Sequence, residues 1–299
     1  MRLLFTGASG FLGQNIEAIL RERYDNVTTV GLGETDDLTV NLALTEPNLT
    51  EHFDIVLHSA GKAHVVPRTK EEADAFFAVN YGGTVNLCKA LERVGVPKSM
   101  VYVSTVAVYG CESGELITEE HALNGSTPYA RSKIMAEEYL TDWCGKNGVI
   151  LTILRPSLLA GKNPTGNLLD MVSGIRKGFY VNIAGGKVRK SIIMAEDIAR
   201  LLPLVAGIGG IYNVCDTRQP SYGELSRVIA GQLGKRQPLS IPFFVAKGLA
   251  LAGDIIGGRF PINSARLDKL TKPLTFSNAK AVKTLNWRPM DVLENFKIE

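Results

Sequence analysis

A chain of 299 residues can bury a sizeable core, as one large domain or as a main domain with a smaller appendage. Its composition, 45% hydrophobic and 21% charged, is ordinary for a soluble globular protein. The net charge of +3 is small and the basic residues are scattered, which gives no support for nucleic-acid binding. Cys88, Cys111, Cys144 and Cys215 form no CxxC pair and have no nearby histidine set, so we expect reduced thiols, a cytoplasmic location and no metal site.

Two apolar segments are candidates for a signal peptide or a membrane span. The N-terminal run reaches Gly7 at once and is too short for a signal peptide. The longest apolar stretch, residues 241–258, is interrupted by Lys247 and Asp254 and falls short of the ~20 residues that a membrane span needs. The sequence therefore predicts no membrane span. It predicts a buried or surface-packed helix there, with attachment to a membrane surface as the alternative.

The first half of the chain alternates short apolar runs with helical patterns. Strands are predicted over residues 2–5, 27–30, 54–59, 100–104 and 150–154, and helices over 10–23, 73–94 and 128–143. Continuous apolar strands separated by helices indicate a parallel sheet covered on both faces, and hence a doubly wound α/β fold. Residues 161–299 mix helices (168–177, 197–205, 222–233) with short strands (188–194, 210–214). They predict a smaller α/β substrate lobe, with segments that return to the first domain.

The segment Thr6–Gly13, TGASGFLG, lies between the first strand and the first helix. Its glycines at 7, 10 and 13 allow a tight turn, close approach of a pyrophosphate and close helix–strand packing. The helix N-terminus then offers N–H groups and a positive dipole end to phosphates. The spacing is GxxGxxG rather than GxGxxG, and a simple turn is the alternative. Its position favours a cofactor loop, so residues 1–160 are predicted to form an NAD(P)-binding Rossmann domain.

Two further motifs suggest proton transfer. The spacing of Tyr129 and Lys133 puts both on one helix face, where an ammonium would lower the pKa of the phenol. Ser104 and Thr105 follow the fourth strand, at the sheet edge where ligands bind in doubly wound folds, and a hydroxyl there could hold the reacting oxygen. Each motif alone is also explained by an exposed helix pair or a capped turn. The glycine loop, the Ser104-Thr105 pair and the Tyr129/Lys133 pair follow one another along the chain, and together they favour an active site over these separate explanations.

Together these motifs resemble the extended short-chain dehydrogenase/reductase family of nucleotide-sugar epimerases, dehydratases and reductases. The resemblance covers nearly the whole chain. It also includes residues 58–61 (HSAG), 80–84 (NYGGT), 155–156 (RP) and 286–289 (NWRP). It implies an enzyme that uses NAD or NADP, acts on a nucleotide-diphosphate sugar and forms a homodimer.

The resemblance also implies roles for individual residues. Tyr129 would be the acid/base, Lys133 would tune it and hold the nicotinamide ribose, and Thr105, four residues before Tyr109, would be the catalytic hydroxyl in preference to Ser104. The other implied cofactor-binding residues are Gly7, Gly10, Phe11, Leu12, Gly13, Asn41, Leu42, Ala60, Gly61, Lys62, Asn80, Ser104, Pro156 and Leu158. The implied substrate-binding residues are Thr105, Asn167, Arg189 and Lys190, the last two with solvated surface charge as the alternative.

Three positions depart from the family pattern. Gly31 stands where members that prefer NAD place an acid for the ribose 2′-OH, and no arginine stands there for a 2′-phosphate, so NAD and NADP both remain open. Asn41-Leu42 replaces the Asp and apolar residue that relatives often hold near adenine. Val106 replaces the acid that dehydratases place after the threonine, which disfavours dehydration.

The resemblance implies hydride transfer at C4 of the sugar, and both a 4-keto reductase and a 4-epimerase carry out that chemistry. Residues 189–194, 242–247 and 264–287 look similar to bacterial reductases of 4-keto-6-deoxy hexosamines in surface-polysaccharide synthesis, which favours a reductase. The alternative is a 4-epimerase acting on UDP-glucose or UDP-N-acetylglucosamine, with tightly bound NAD. A non-catalytic cofactor-sensing protein is a second alternative, which the presence of Tyr129, Lys133 and Thr105 disfavours. Reduction of a non-nucleotide carbonyl would predict an apolar pocket without Asn167 and Lys190.

Overall fold

The computed structural model describes residues 1–63, 66–256 and 263–298. Its strands are β1 Arg2–Thr6, β2 Asn26–Gly31, β3 Leu38–Thr39, β4 Ile55–His58, β5 Ser99–Val103, β6 Gly114–Ile117, β7 Ile150–Pro156, β8 Leu158–Ala160, β9 Asn182–Ile183, β10 Ile192–Met194, β11 Gly210–Val214, β12 Ser240–Ile241 and β13 Leu274–Phe276. Its helices are α1 Phe11–Arg23, α2 Lys70–Phe77, α3 Gly83–Val94, α4 Pro128–Asn147, α5 Gly166–Lys177, α6 Glu196–Val205, α7 Tyr222–Gln232, α8 Phe243–Ile256, α9 Ser264–Thr271, α10 Ala279–Leu285 and α11 Val292–Asn295. None of these described helices is long and apolar enough to cross a bilayer.

Seven parallel strands form the central sheet, in the order β11-β7-β5-β4-β1-β2-β3. The strand order reverses between β1 and β4, which is the switch point where ligands bind in doubly wound folds. The prediction of a doubly wound Rossmann sheet is confirmed. The glycine loop after β1 and the loop after β4 therefore leave the sheet side by side.

Both faces of the sheet are covered. On one face, α1 and α6 bury Ile16, Leu20 and Leu201 against the side chains of alternate strand residues such as Phe5. On the other face, α3 and α4 bury a second cluster that includes Tyr102. Each fully buried aliphatic side chain contributes about 1.5–3 kcal/mol, so these two layers hold the sheet rigid. Both α6 and β11 come from the second half of the chain and add to the main sheet.

The second lobe packs around α5, α7 and the β8–β10 pair. Phe296, near the C-terminus, is fully buried in the same cluster. Only Ser157 separates β7 of the main sheet from β8 of this lobe. The lobe therefore begins directly at the carboxyl edge of the sheet, beside the ligand-binding crevice.

Two predicted elements differ in the structure. The helix predicted over 73–94 begins at Lys70, because Thr69 caps it, and a π-helical segment, Ala78–Gly82, joins α2 to α3. The strand predicted over 188–194 is shortened to Ile192–Met194. Arg189 bridges Ser221 in antiparallel fashion and Lys190 bridges Leu274 in parallel, so no single partner strand continues the ladder.

Candidate active site

The glycine loop after β1 is packed too tightly for side chains. Gly7 has φ +83°, and a Cβ there would lie 2.7 Å from the backbone nitrogen of Ala60 in the neighbouring loop. A Cβ at Gly13 would lie 2.2 Å from the Ala8 carbonyl oxygen. Gly10 caps α1 without a side-chain hydrogen bond, so the N–H groups of the first turn stay available for an anion. This is the geometry that a pyrophosphate needs.

Asn80 fastens the loop after β4 to α4. Its Oδ1 accepts from the Lys62 N–H at 2.7 Å, and its Nδ2 donates to Ser132 Oγ at 2.8 Å. A Cβ at Gly61 would lie 3.2 Å from Lys133 Nζ. Asn80 therefore positions the loop that carries Ala60, Gly61 and Lys62, and Gly61 leaves the ammonium of Lys133 uncovered on that side.

His58 links three elements beneath the site. Its Nδ1 lies 2.7 Å from Thr6 Oγ1 and its Nε2 lies 2.9 Å from Thr84 Oγ1. Complete burial, together with the positive charge of Lys133, lowers the pKa of His58 to about 3. The ring is therefore neutral in the working pH range. It joins the ends of β1 and β4 to α3 and has no free nitrogen for proton transfer.

Tyr129 and Thr105 lie at the beginnings of two neighbouring helical segments, α4 and the 3₁₀ turn after β5. Thr127 caps α4 by accepting from the Ala130 N–H, and Pro128 occupies the first turn, so Tyr129 is held at the beginning of the helix. Thr105 caps the 3₁₀ turn Val106–Tyr109 that follows β5. The side chains of Tyr129 and Thr105 share a hydrogen bond at the carboxyl edge of the sheet. Two hydroxyl groups therefore meet where a reacting oxygen is expected.

The pKa of Tyr129 is raised, opposite to the direction that its spacing from Lys133 predicted. Burial of the phenol raises the pKa more than the hydrogen bond with Thr105 lowers it. Lys133 does not offset this, because its Nζ donates to the Val103 carbonyl at 2.8 Å and lies 4.6 Å from the ring centre of Tyr102. The phenol therefore stays protonated at neutral pH.

Lys133 is a buried ammonium with a perturbed pKa. Burial lowers the pKa of Lys133 to about 8, although the negative charge of Glu137 acts in the opposite direction. The group is charged at pH 7 and loses its proton as the pH rises through 8. An ammonium carries three N–H donors, and the bond to Val103 uses one of them.

Ser104 and Thr105 have different surroundings although they are adjacent. Ser104 is 3% exposed, and its hydroxyl donates to the Glu137 carboxylate. Glu137 forms a buried ion pair with Arg155 at 2.6 Å. Ser104 thus belongs to a buried network behind the site, whereas Thr105 contacts Tyr129. The sequence-based preference for Thr105 as the catalytic hydroxyl remains a prediction that this arrangement supports.

The remaining predicted cofactor residues lie around the same edge. Pro156 ends β7 and Leu158 begins β8, and between them the buried hydroxyl of Ser157 has no hydrogen-bond partner among the described residues. Leu42 is 7% exposed and packs under Gly83, while the side chain of Asn41 accepts from the Ala43 N–H. Phe11 is half-buried and Leu12 faces the core, so the backbone of this turn faces the crevice.

The predicted substrate residues other than Thr105 lie on the second lobe. Asn167 is exposed in the first turn of α5. Arg189 donates to the Gln219 carbonyl at 2.6 Å, pairs with Glu224 at 3.4 Å, and lines a cavity of about 420 Å³. Lys190 is half-buried, and burial together with the charge of Lys269 lowers its pKa. Arg218 lines the same cavity as Arg189 and was not predicted from sequence.

Asp36 is a second residue that sequence reasoning missed. Its carboxylate accepts from the Gly33 N–H at 2.8 Å, and a Cβ at Gly31 would lie only 2.4 Å from its Oδ2. The loop after β2 thus folds back and brings a carboxylate to the strand end where Gly31 supplies none. The glycines at 31 and 33 followed by an acid are the only signal in the sequence, and they do not reveal the direction in which the loop folds.

Comparison with known proteins matches residues 3–215 to the model of the NAD dependent epimerase/dehydratase family. The chain belongs to this family. The chain is 26% identical to N-acetyl-alpha-D-glucosaminyl-diphospho-ditrans,octacis-undecaprenol 4-epimerase of Escherichia coli O157:H7, over 93% of this chain and 88% of that protein. It is 28% identical to GDP-6-deoxy-D-mannose reductase of Pseudomonas aeruginosa, over 77% of this chain and 79% of that protein.

A solved structure of RMD from Pseudomonas aeruginosa in complex with NADPH has the same fold. It superposes with a TM-score of 0.74 at 21% identity and covers 99% of this chain and 96% of that one. The family match confirms the predicted resemblance and the predicted use of a nicotinamide cofactor. The curated relatives are a sugar 4-epimerase and a sugar-nucleotide reductase, the two classes between which the sequence left the choice open.

The contrast between the adjacent hydroxyls predicts different effects of their removal. Thr105→Val should lower kcat by about 10²-fold, because one hydrogen bond to the reacting oxygen is lost. Ser104→Ala should lower the free energy of unfolding by about 1–3 kcal/mol, because a buried Glu137 oxygen loses one of its two donors, and should change kcat less. Steady-state kinetics and urea unfolding of both variants check this. Equal kcat losses with unchanged stability would contradict it.

The pKa of Lys133 predicts an alkaline limit on turnover. Because deprotonation removes the positive charge of Lys133 and one of its three N–H donors, kcat/KM should fall as the pH rises through about 8. Titration of Tyr129 cannot cause this fall in kcat/KM near pH 8, since the pKa of Tyr129 is raised above the ordinary ~10. In Lys133→Arg the residual activity should not fall near pH 8, because arginine keeps its charge. A fall that persists in Lys133→Arg would show that another group causes it.

Proposed function

We propose that this protein reduces the C4 ketone of a nucleotide-diphosphate-linked 4-keto-6-deoxy hexosamine with NADH or NADPH, as a step in bacterial surface-polysaccharide synthesis. The observation that carries the proposal is the hydrogen-bonded pair of Tyr129 and Thr105, beside the tight glycine loop. The similarity to a GDP-6-deoxy-D-mannose reductase over three quarters of both chains supports reduction at a sugar-nucleotide carbonyl.

The residues at the switch point fit a dinucleotide. A side chain at Gly7 or Gly13 would collide with backbone, and one at Gly61 would crowd Asn80 and Lys133. Helix α1 begins after Gly10 without a side-chain cap, which suits a phosphate at its first turn. The buried hydroxyl of Ser157, which has no hydrogen-bond partner within the part of the chain that the structure describes, lies next to Pro156, where the nicotinamide end would be held. The reduced nicotinamide, when bound, supplies the hydride. Lys133 would hold the ribose of that half with its remaining N–H donors.

Tyr129 and Thr105 would supply the acid catalysis. Both hydroxyls would donate to the ketone oxygen and orient it, and Tyr129 would give its proton to that oxygen as the oxygen becomes an alcohol. Tyr129 is protonated at neutral pH, as an acid that donates to a ketone oxygen must be.

The second lobe would bind the nucleotide end. Arg189 and Lys190 carry positive charge near the mouth of this lobe, and Arg189 shares a cavity of about 420 Å³ with Arg218. Two arginines on one cavity wall suit the diphosphate, since guanidinium groups bind phosphate oxygens in pairs, and a phosphate would compete there with Glu224, which pairs with both. Asn167 would bind the sugar from the start of α5.

A 4-epimerase is the second candidate. It is favoured by the similarity to a 4-epimerase over 93% of the chain. The same three residues would serve it, with Tyr129 acting first as a base and then as an acid. Cofactor handling separates the two functions, because an epimerase returns its hydride and keeps its NAD, whereas a reductase consumes NAD(P)H.

The reductase function predicts stoichiometric oxidation of NAD(P)H by a UDP-linked 4-keto-6-deoxy-N-acetylhexosamine. Tyr129→Phe should lower kcat by about 10²–10⁴-fold with an unchanged dissociation constant for the cofactor. Tyr139→Phe, a change of the same kind on the same helix, should have little effect. Absorbance assays of cofactor and chromatography of the sugar product measure both. Interconversion of 4-epimers without net cofactor consumption would overturn the reductase in favour of the epimerase.

Asp36 predicts a preference for NAD(H) over NADP(H). A 2′-phosphate brought to the end of β2 would meet the carboxylate that Gly33 holds there, and the two negative charges would repel. Asp36→Asn should therefore tighten NADPH binding about tenfold relative to NADH, measured as dissociation constants by fluorescence titration. Asp37→Asn is the control, because Asp37 binds Thr29 and Arg21 instead. An equal effect of both variants on the two cofactors would contradict the assignment.

A further inference from the structure

Helix α8 buries its small residues and exposes its large apolar ones, the opposite of what surface helices usually do. Its buried residues are the small ones Ala246, Ala250 and Gly253, which follow the helical period and face the protein. Its large apolar residues face solvent, with Phe244 74% exposed and Ile255 88% exposed. A surface helix of a globular protein normally buries its large apolar residues. This pattern indicates that the outer face of α8 contacts something other than water.

The exposed residues of α8 form a patch rather than scattered single side chains. Besides Phe244 and Ile255, more than a third of the surface of Phe243, Val245, Leu249, Leu251 and Ile256 is exposed. Isolated exposed apolar residues are ordinary, but a contiguous patch marks an interaction surface. The helix has 14 residues, so it is about 21 Å long, less than the ~30 Å of a bilayer core. It could lie on a membrane but not cross one.

Positive charge accompanies this patch. Between residues 243 and 272 the sequence has five lysines or arginines and two aspartates, so this segment holds the chain's entire net charge of +3. Helix α9, which carries Arg266 and Lys269, packs against α8 through Leu267, and the exposed ammonium of Lys269 lies 3.9 Å from the exposed Glu112 carboxylate. Ser264 also donates to the Asp254 carboxylate of α8. An apolar helix face flanked by basic residues matches anionic lipid headgroups above acyl chains.

We propose that α8 docks this protein on an anionic bilayer surface, with its large apolar side chains in the acyl boundary and the basic residues of α9 at the headgroups. A second copy of the chain would offer an equally basic surface, so charge favours lipid over self-association. The docking does not depend on the proposed reductase function.

The surface adjoins residues proposed for the substrate diphosphate. Lys269 of α9 is close enough to Lys190 for the two positive charges to interact, and Lys190 bridges Leu274 directly after α9. A sugar diphosphate at the membrane surface would therefore arrive beside Lys190 and Arg189. This arrangement suits a reaction sequence in which a membrane-bound transferase takes up the sugar, or one in which the sugar is already carried on a lipid.

Vesicle sedimentation of the full-length protein tests the proposal. We expect binding to vesicles of phosphatidylcholine with phosphatidylglycerol, weaker binding to phosphatidylcholine alone, and a further loss at high salt. Phe244→Ser combined with Ile255→Ser should lower the partition coefficient about tenfold or more, because two inserted apolar side chains are removed. Ile208→Ser, which changes another exposed isoleucine (55% exposed) at the turn before β11, is the matched control and should bind like the wild type.

The charge contribution is tested separately. Lys269→Gln should lower the partition coefficient on anionic vesicles about fivefold, and Lys98→Gln, an exposed lysine on the other lobe, should not. Turnover of a water-soluble substrate should be unchanged in the Phe244→Ser/Ile255→Ser double variant and in both control variants. Absence of vesicle binding by the wild type would overturn the proposal. A double variant that converts a dimer to a monomer in light scattering without affecting sedimentation would also overturn it and assign the patch to self-association.

Discussion

The buried ion pair of Glu137 and Arg155 is the interaction on which the geometry of the site depends. Tyr129, Lys133 and Glu137 are four residues apart and share one face of α4. Arg155 of β7 holds the last of them at 2.6 Å, and this contact adds to the apolar packing of α4 in fixing the rotation and height of the helix over the sheet. Loss of one partner would leave an unpaired buried charge and cost about 3–5 kcal/mol. The network continues through Tyr109 to Asn213, which ties in the strand contributed by the second half of the chain.

The same pair governs the charges of the site. Glu137 opposes the effect of burial on Lys133, so the lysine remains an ammonium at neutral pH although its pKa is lowered to about 8. Its charge in turn helps to keep His58 neutral. Tyr129 is buried, is bonded to Thr105 and stays protonated. The site at rest therefore holds one charged donor and one neutral acid, the protonation states that reduction of a ketone requires.

Local sequence patterns predicted the parts of the site that short segments determine. The glycine loop, the helical spacing of Tyr129 and Lys133, and the hydroxyl after β5 all lie within a few residues of a strand end, and the fold brings those ends together. Features that depend on distant contacts were not predictable. The direction of the Tyr129 pKa depends on burial, and the place of Asp36 depends on how a loop folds back onto Gly31. The hydrogen bond from Ser104 to Glu137 spans 33 positions of the chain.

The orientation of helix α8 is a further feature that the sequence alone does not determine. Its composition predicted an apolar surface-packed or buried helix, but composition does not say which residues face inward. Alanine and glycine at positions 246, 250 and 253 give one side of the helix a smooth surface that approaches Ile183 and Ile241 closely. That approach directs Phe244 and Ile255 outward, because they lie on the opposite side of the helix. Small residues at helical spacing inside a strongly apolar segment therefore indicate an outward-facing apolar surface, and here they place it next to the basic residues of α9.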